Sequence, residues 1–212
     1  MSDLKALTEA VIKGDVKAAV AGTQSALDGG SVARDILDNG LIAAMDEVGE
    51  RFAKGQIFVP QMLRSAKTMQ ECMKLLVPLF KEGDVTSKGK VLIGTVKGDL
   101  HDIGKNLVSM MMEGAGFNIT DIGVDVSPEI FVQKVKEVKP DIVAMSALLS
   151  TTMPAMPQTI EALKEAGVRK GIKIMIGGAP VTERYAVEIK ADAYASDAGS
   201  AVKKAKTLLG IS

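Results

Sequence analysis

Two periods run through this 212-residue chain, and one replaces the other near residue 83. From Asp3 to Glu82 apolar residues recur at three- and four-residue spacing, the repeat of amphipathic helices. The repeat is interrupted at Gly14-Asp15, Gly29-Gly30-Ser31 and Lys54-Gly55-Gln56, which predicts four helices. In the third, Ile36, Leu37, Leu41, Ala44, Met45, Val48 and Phe52 form one stripe, with Ser31 as its candidate N-cap. The fourth starts near Pro60, a first-turn position where the missing N–H costs nothing. It stripes Met62, Leu63, Ala66, Met69, Met73, Leu76 and Phe80. Short connections favour antiparallel neighbours, so residues 1–82 read as a four-helix bundle.

Residues 83–89, GDVTSKG, carry breakers and no apolar period, and are expected to be a linker between two domains. Beyond them the pattern changes. The β-branched runs VLIGTV, ITDIGV, DIVAMS and IKIMIG, and a weaker DAYA, alternate with helical stretches near 103–115, 128–138, 154–166, 181–189 and 199–209. Five strands alternating with five helices predict a doubly wound, five-stranded parallel sheet of flavodoxin or Rossmann type over residues 90–212.

Composition then narrows the partners. Lys plus Arg equals Asp plus Glu at 26 each, so no net field attracts nucleic acid or an anionic membrane. Aromatics are 3% of residues and Trp is absent, which removes the stacking surfaces of single-strand binders. A lone cysteine, Cys72, fits a reducing compartment. The polar N-terminus lacks a signal-peptide core, and no run approaches the roughly 20 apolar residues of a membrane span. A cytoplasmic location is expected.

The unusual chemistry lies after the first strand, in GTVKGDLHDIGKN. A phosphate loop needs four residues between its glycines, then Lys and Ser or Thr. Here five residues separate Gly98 from Gly104, and Asn106 follows Lys105, so the nucleotide reading fails. The segment holds the chain's one histidine, His101, two residues after Asp99. SALLSTT follows the third strand and GGA the fourth. Each alone has an ordinary explanation as a loop histidine, a polar strand end or a turn. Together they share the carboxyl edge of the predicted sheet, where open α/β folds bind ligands. If His101 binds a metal, with Asp99 orienting its ring, the metal must bring its other ligands, because no second His or nearby Cys is available. A macrocyclic cofactor does so.

Asp99-x-His101-x-x-Gly104, Ser146-x-Leu148 and Gly177-Gly178, in this order, resemble the D-x-H-x-x-G, S-x-L, G-G signature of cobalamin-binding domains. The whole chain, helical half included, is similar to corrinoid proteins of methyltransferase systems in methanogens and acetogens, and to the matching module of cobalamin-dependent methionine synthase. The resemblance implies a base-off, His-on cofactor, in which His101 is the lower axial ligand of cobalt and Asp99 its hydrogen-bonding partner. Thr152 would extend the pair into a proton relay, where methionine synthase has serine. Ser146 and Ser150 would bond the nucleotide tail, Gly104, Gly177 and Gly178 would line its slot, and Leu148 would pack against it. The helical half would cap the upper face of the corrin, with Phe52 and Val59 at the matching positions.

The function implied is that of a methyl carrier rather than an enzyme on its own. It would cycle between Co(I) and methyl-Co(III), the methylcobalamin form. A donor-specific methyltransferase would load it, a second methyltransferase acting on a pterin or thiol would unload it, and a reductive activase would restore it. The linker at 83–89 would then act as a hinge. The alternative is a cobalamin-binding sensor, which usually carries an added DNA-binding or signalling domain; a mutase small subunit typically lacks the helical cap. A phosphoacceptor receiver is excluded, because Asp141 begins the third strand and Ser146 ends it.

Overall fold

A computed structural model describes residues 4–79 and 87–211. Phe80 and residues 83–86 of the expected linker lie outside them. The chain divides into two compact units, Met1–Thr86 with Gly114–Gly116, and Ser87–Glu113 with Phe117–Ser212.

The first unit is helical. Helix α1 (Lys5–Lys13) ends on Gly14 in the left-handed conformation, and α2 (Val16–Asp28) starts on Asp15, whose carboxylate accepts the Ala18 N–H at 3.0 Å. The third helix is continuous but not uniform: α3 (Ala33–Asp35) passes through a π-helical segment, Ile36–Ile42, into α4 (Ala43–Ala53). Its N-cap is Val32, one residue beyond the expected Ser31, and Val32 has no capping side chain to offer. Periodicity does not show the π segment. Within it the Gly40 carbonyl accepts the Thr8 hydroxyl at 3.2 Å. Helix α5 (Val59–Leu76) carries Pro60 in its first turn, and the Gln61 side chain accepts the Phe58 N–H. The expected stripes are the buried faces: Ile36, Leu37, Leu41, Ala44, Met45 and Val48 in one helix, and Met62, Ala66, Met69 and Leu76 in the other. Phe52, Leu63 and Met73 are half-buried.

The second unit alternates as the sequence predicts: β1 (Lys90–Thr95), α6 (Ile103–Gly114), β2 (Asn118–Asp121), α7 (Pro128–Val138), β3 (Ile142–Ser146), α8 (Ala155–Glu165), β4 (Lys173–Gly177), α9 (Glu183–Glu188), β5 (Ala193–Ala195) and α10 (Ala198–Leu208). All strands are parallel, in the order β2-β1-β3-β4-β5. Residues of β1, β3 and β4 are buried on both faces, which is why these strands read as unbroken apolar runs rather than alternating ones. Phe131, Met145, Met156 and Ile160 are among the largest side chains in the core beneath one face. Strand β2 stops three residues before the expected end of ITDIGV. Gly123 turns the chain at φ 87°, and its N–H bonds back to Asp121 Oδ1 at 2.8 Å.

Candidate functional site

Strand order reverses between β1 and β3, the switch point beyond whose carboxyl ends open α/β sheets bind ligands. The register places Thr95 beside Ser146, and Ser146 beside Gly177. The three stretches singled out from sequence therefore do meet at one edge. Gly178 shows how closely: it adopts φ 128°, and a Cβ there would lie 1.8 Å from the Ala147 carbonyl oxygen. Only glycine fits.

Asp99 is the centre of this edge. Its carboxylate has no exposed surface, yet it accepts five hydrogen bonds. Oδ1 takes the His101 N–H at 3.1 Å and His101 Nδ1 at 2.7 Å. Oδ2 takes the Leu148 N–H at 2.7 Å, the Leu149 N–H at 3.3 Å and the Thr152 hydroxyl at 2.7 Å. Burial pushes the carboxyl pKa up, but the bonds from Thr152, Leu148 and His101 outweigh it and hold the group far below the usual carboxylate range. Asp99 is thus a fixed anion. An anion at Nδ1 makes that nitrogen the N–H donor. Nε2 is left with a free lone pair and no partner among the described residues, on a side chain 51% exposed.

Around the imidazole lies apolar surface. Leu100 and Ile103 flank it in sequence and are 72% and 85% exposed, and the backbone bonds to Asp99 bring in Leu148 and Leu149, both also exposed. Gly104 sits in the first turn of α6, where a Cβ would meet nothing within 4 Å. Ser146 ends β3, and its carbonyl accepts the Val96 N–H at 3.0 Å. Ser150 is exposed in the turn that follows. Phe52 and Val59 belong to the helical unit, at the end of α4 and the start of α5, so a short loop sets them at one end of that bundle.

Sequence reasoning missed the residues that hold the histidine loop from beneath. Thr95 donates its hydroxyl to the His101 carbonyl at 2.9 Å. Asp125, in the loop after β2, accepts the Gly98 N–H and donates its own N–H to the Asp99 carbonyl. Its signal was an Asp in a Gly-x-Asp turn, a residue type that tolerates left-handed backbone.

This fold and edge define a class: an α/β domain with a single imidazole at the switch point of a parallel sheet, in a chain that also carries a helical unit. Residues 89–203 match the family model described as B12 binding domain, and residues 3–76 match a second model of that description. The chain is 46% identical to dimethylamine corrinoid protein 1 of Methanosarcina acetivorans, over 97% of each sequence. It is 43% identical to the trimethylamine corrinoid protein of Methanosarcina barkeri, covering 96% of this chain and 94% of that one. Among solved structures, a cobalamin-binding protein from Desulfitobacterium hafniense superposes with a TM-score of 0.82 at 34% identity, over 98% of this chain and 99% of that one. A chain of the methanol:cobalamin methyltransferase complex MtaBC from M. barkeri gives 0.86 at 29% identity, over 98% and 79%. The chain belongs to the B12-binding corrinoid protein family.

The residues present fit a corrinoid. Among the described residues no group of three or more His, Cys, Asp or Glu could hold a bare metal ion, so one imidazole suffices only for a metal that arrives with its other ligands. The exposed leucines and isoleucine around it suit a large, largely apolar ring.

Proposed function

We propose that this chain is a methyl-carrier corrinoid protein that binds cobalamin base-off, with His101 Nε2 as the lower axial ligand. The observation that carries this reading is the orientation of that imidazole: Nδ1 is held by a buried, five-fold bonded carboxylate, and Nε2 is left open beside apolar surface. Bound cobalt supplies both a strong nucleophile toward a methyl donor and a good leaving group toward an acceptor, chemistry no side chain offers.

The protein's own contributions are position, basicity and protection. Asp99 fixes the ring and raises its strength as a ligand by stabilising positive charge at Nδ1. Thr152 donates to Asp99, and the Leu149 carbonyl at 2.9 Å competes for the same hydroxyl proton. Thr152, Asp99 and His101 Nδ1 thus form one hydrogen-bonded chain leading from the ring into the protein, the path of the proton relay. Ser146 and Ser150 offer hydroxyls to the nucleotide tail, Gly104 leaves it room, Gly177 and Gly178, whose Cβ positions are taken by neighbouring backbone, line its slot with main chain alone, and Leu148 packs against it. Phe52 and Val59 serve the cap, shielding the cofactor's reactive face.

The relatives named for dimethylamine and trimethylamine support a methylamine as the donor, delivered by its own methyltransferase. A second methyltransferase acting on a pterin or thiol removes the methyl group, and a reductive activase rescues oxidised protein. Cobalamin-loaded, reduced protein should be titrated with methylamine- and methanol-specific methyltransferases and their substrates, following the cofactor spectrum. Methylation only with a methylamine pair is expected; methylation by none of them, with corrinoid bound, would remove the carrier assignment.

A further inference from the structure

Besides the turn bond from the Asp99 N–H to the Val96 carbonyl, the histidine loop is held at three backbone atoms, two of them by one residue. Asp125 Oδ1 accepts the Gly98 N–H at 2.7 Å, and the Asp125 N–H donates to the Asp99 carbonyl at 2.9 Å. These bonds grip the Lys97–Gly98 and Asp99–Leu100 peptide groups, which bracket the Gly98-Asp99 segment that carries the orienting carboxylate. The third is the Thr95 bond to the His101 carbonyl. To make both contacts Asp125 adopts φ 53°, a left-handed conformation disfavoured for side chains other than Gly, Asn and Asp. Strain of this kind persists where surrounding structure demands it.

The turn that presents Asp125 is itself braced. Lys105, one residue after Gly104, is buried and pairs with the Asp121 carboxylate, which also takes the Gly123 N–H. Next along, Val126 bonds the Thr95 carbonyl through its N–H at 3.0 Å and bridges Val96. Asp125 is exposed and touches no core, so its two bonds contribute little to burial. What they fix is the place of a short, glycine-containing loop.

We propose that Asp125 is a positioning residue for the axial histidine: by clamping Gly98 and Asp99 it sets the carboxylate that orients the His101 ring, and so preorganises Nε2 for the corrinoid. The inference rests on the ligand role of His101 proposed above. A first readout is independent of that role. His101 is the chain's only histidine, so imidazole-labelled, tag-free apoprotein gives one set of ring nitrogen signals. Their shifts, recorded near pH 9 where an ordinary imidazole is neutral, report the share of ring carrying its proton on Nδ1.

Three proteins discriminate. Asp125→Gly keeps the left-handed backbone and loses the acceptor; Asp125→Asn keeps both. Wild type and Asp125→Asn should show a dominant Nδ1–H tautomer, while Asp125→Gly should lose that dominance. Its Kd for aquocobalamin should rise about tenfold, as is typical when a partner of a ligating histidine is disturbed. An Asp125→Gly protein with wild-type tautomer and affinity would overturn the proposal, and so would an Asp125→Asn protein that behaves like the glycine variant. Failure of the ligand role itself is read separately, from cofactor spectra of His101→Ala.

Discussion

A carboxylate with no exposed surface ordinarily takes up a proton, because burial disfavours its charge. Asp99 stays ionised because five donors converge on it, three of them from the loop after β3. The energetic consequence has a definite sign. A carboxyl whose folded-state pKa lies below its unfolded value of about 4 stabilises the fold fully above that value, and loses the contribution as pH falls toward the folded pKa. In the apoprotein, the melting-temperature gap between wild type and Asp99→Asn should therefore shrink as pH falls below about 4, where the carboxylate contribution is lost. A gap that stays unchanged or widens between about pH 4 and about pH 2 would mean that Asp99 is not a buried anion. The Asp99–His101 pair was legible in sequence from spacing alone. The donors on Leu148 and Leu149 were not, since backbone amides leave no mark on residue type.

At the scale of elements, two glycines of the same edge serve different ends. Gly178 is required by the protein itself, because its φ of 128° and the Ala147 carbonyl leave no place for a Cβ. Gly104 is not, because the space beside it is open. Gly178→Ala should lower apoprotein stability by about 1–3 kcal/mol or more. Gly104→Ala should leave stability unchanged or raise it by up to about 1 kcal/mol, since alanine favours a helix, while corrinoid binding weakens. Denaturant melts and cobalamin titrations of the two variants check this; a destabilised Gly104→Ala that binds normally would contradict it. The alternation of strands and helices was readable because parallel strands buried on both faces form apolar runs bounded by turns. The end of β2 was not, because ITDIGV continues the apolar run while Gly123 turns the backbone. The shift of the helix start from Ser31 to Val32 and the π segment at Ile36–Ile42 likewise depend on geometry that periodicity does not encode.

At the scale of the molecule, the two units match two B12-binding models, one each, and relatives align along almost the whole chain. The family was legible because three short motifs after three different strands had to coincide. Asp125 escaped notice because its bond to Gly98 spans 27 positions and involves no unusual residue type. No helix among the described residues is long and apolar enough to cross a membrane. The protective role proposed for the helical unit predicts that Phe52→Ala binds methylcobalamin normally but photolyses it faster under fixed illumination. An unchanged photolysis rate would remove Phe52 from the cap.

The ligand role of His101 is tested most directly by electron paramagnetic resonance of the cob(II)alamin-loaded protein, prepared with 15N-labelled histidine and natural-abundance cofactor. Each cobalt line is split into a doublet by a spin-½ axial nitrogen and into a triplet by the spin-1 nitrogen of the cofactor's own base. Doublets in wild type that vanish in His101→Ala are the predicted result. Triplets that persist regardless of the label and of the substitution would show that the cofactor keeps its own base on cobalt.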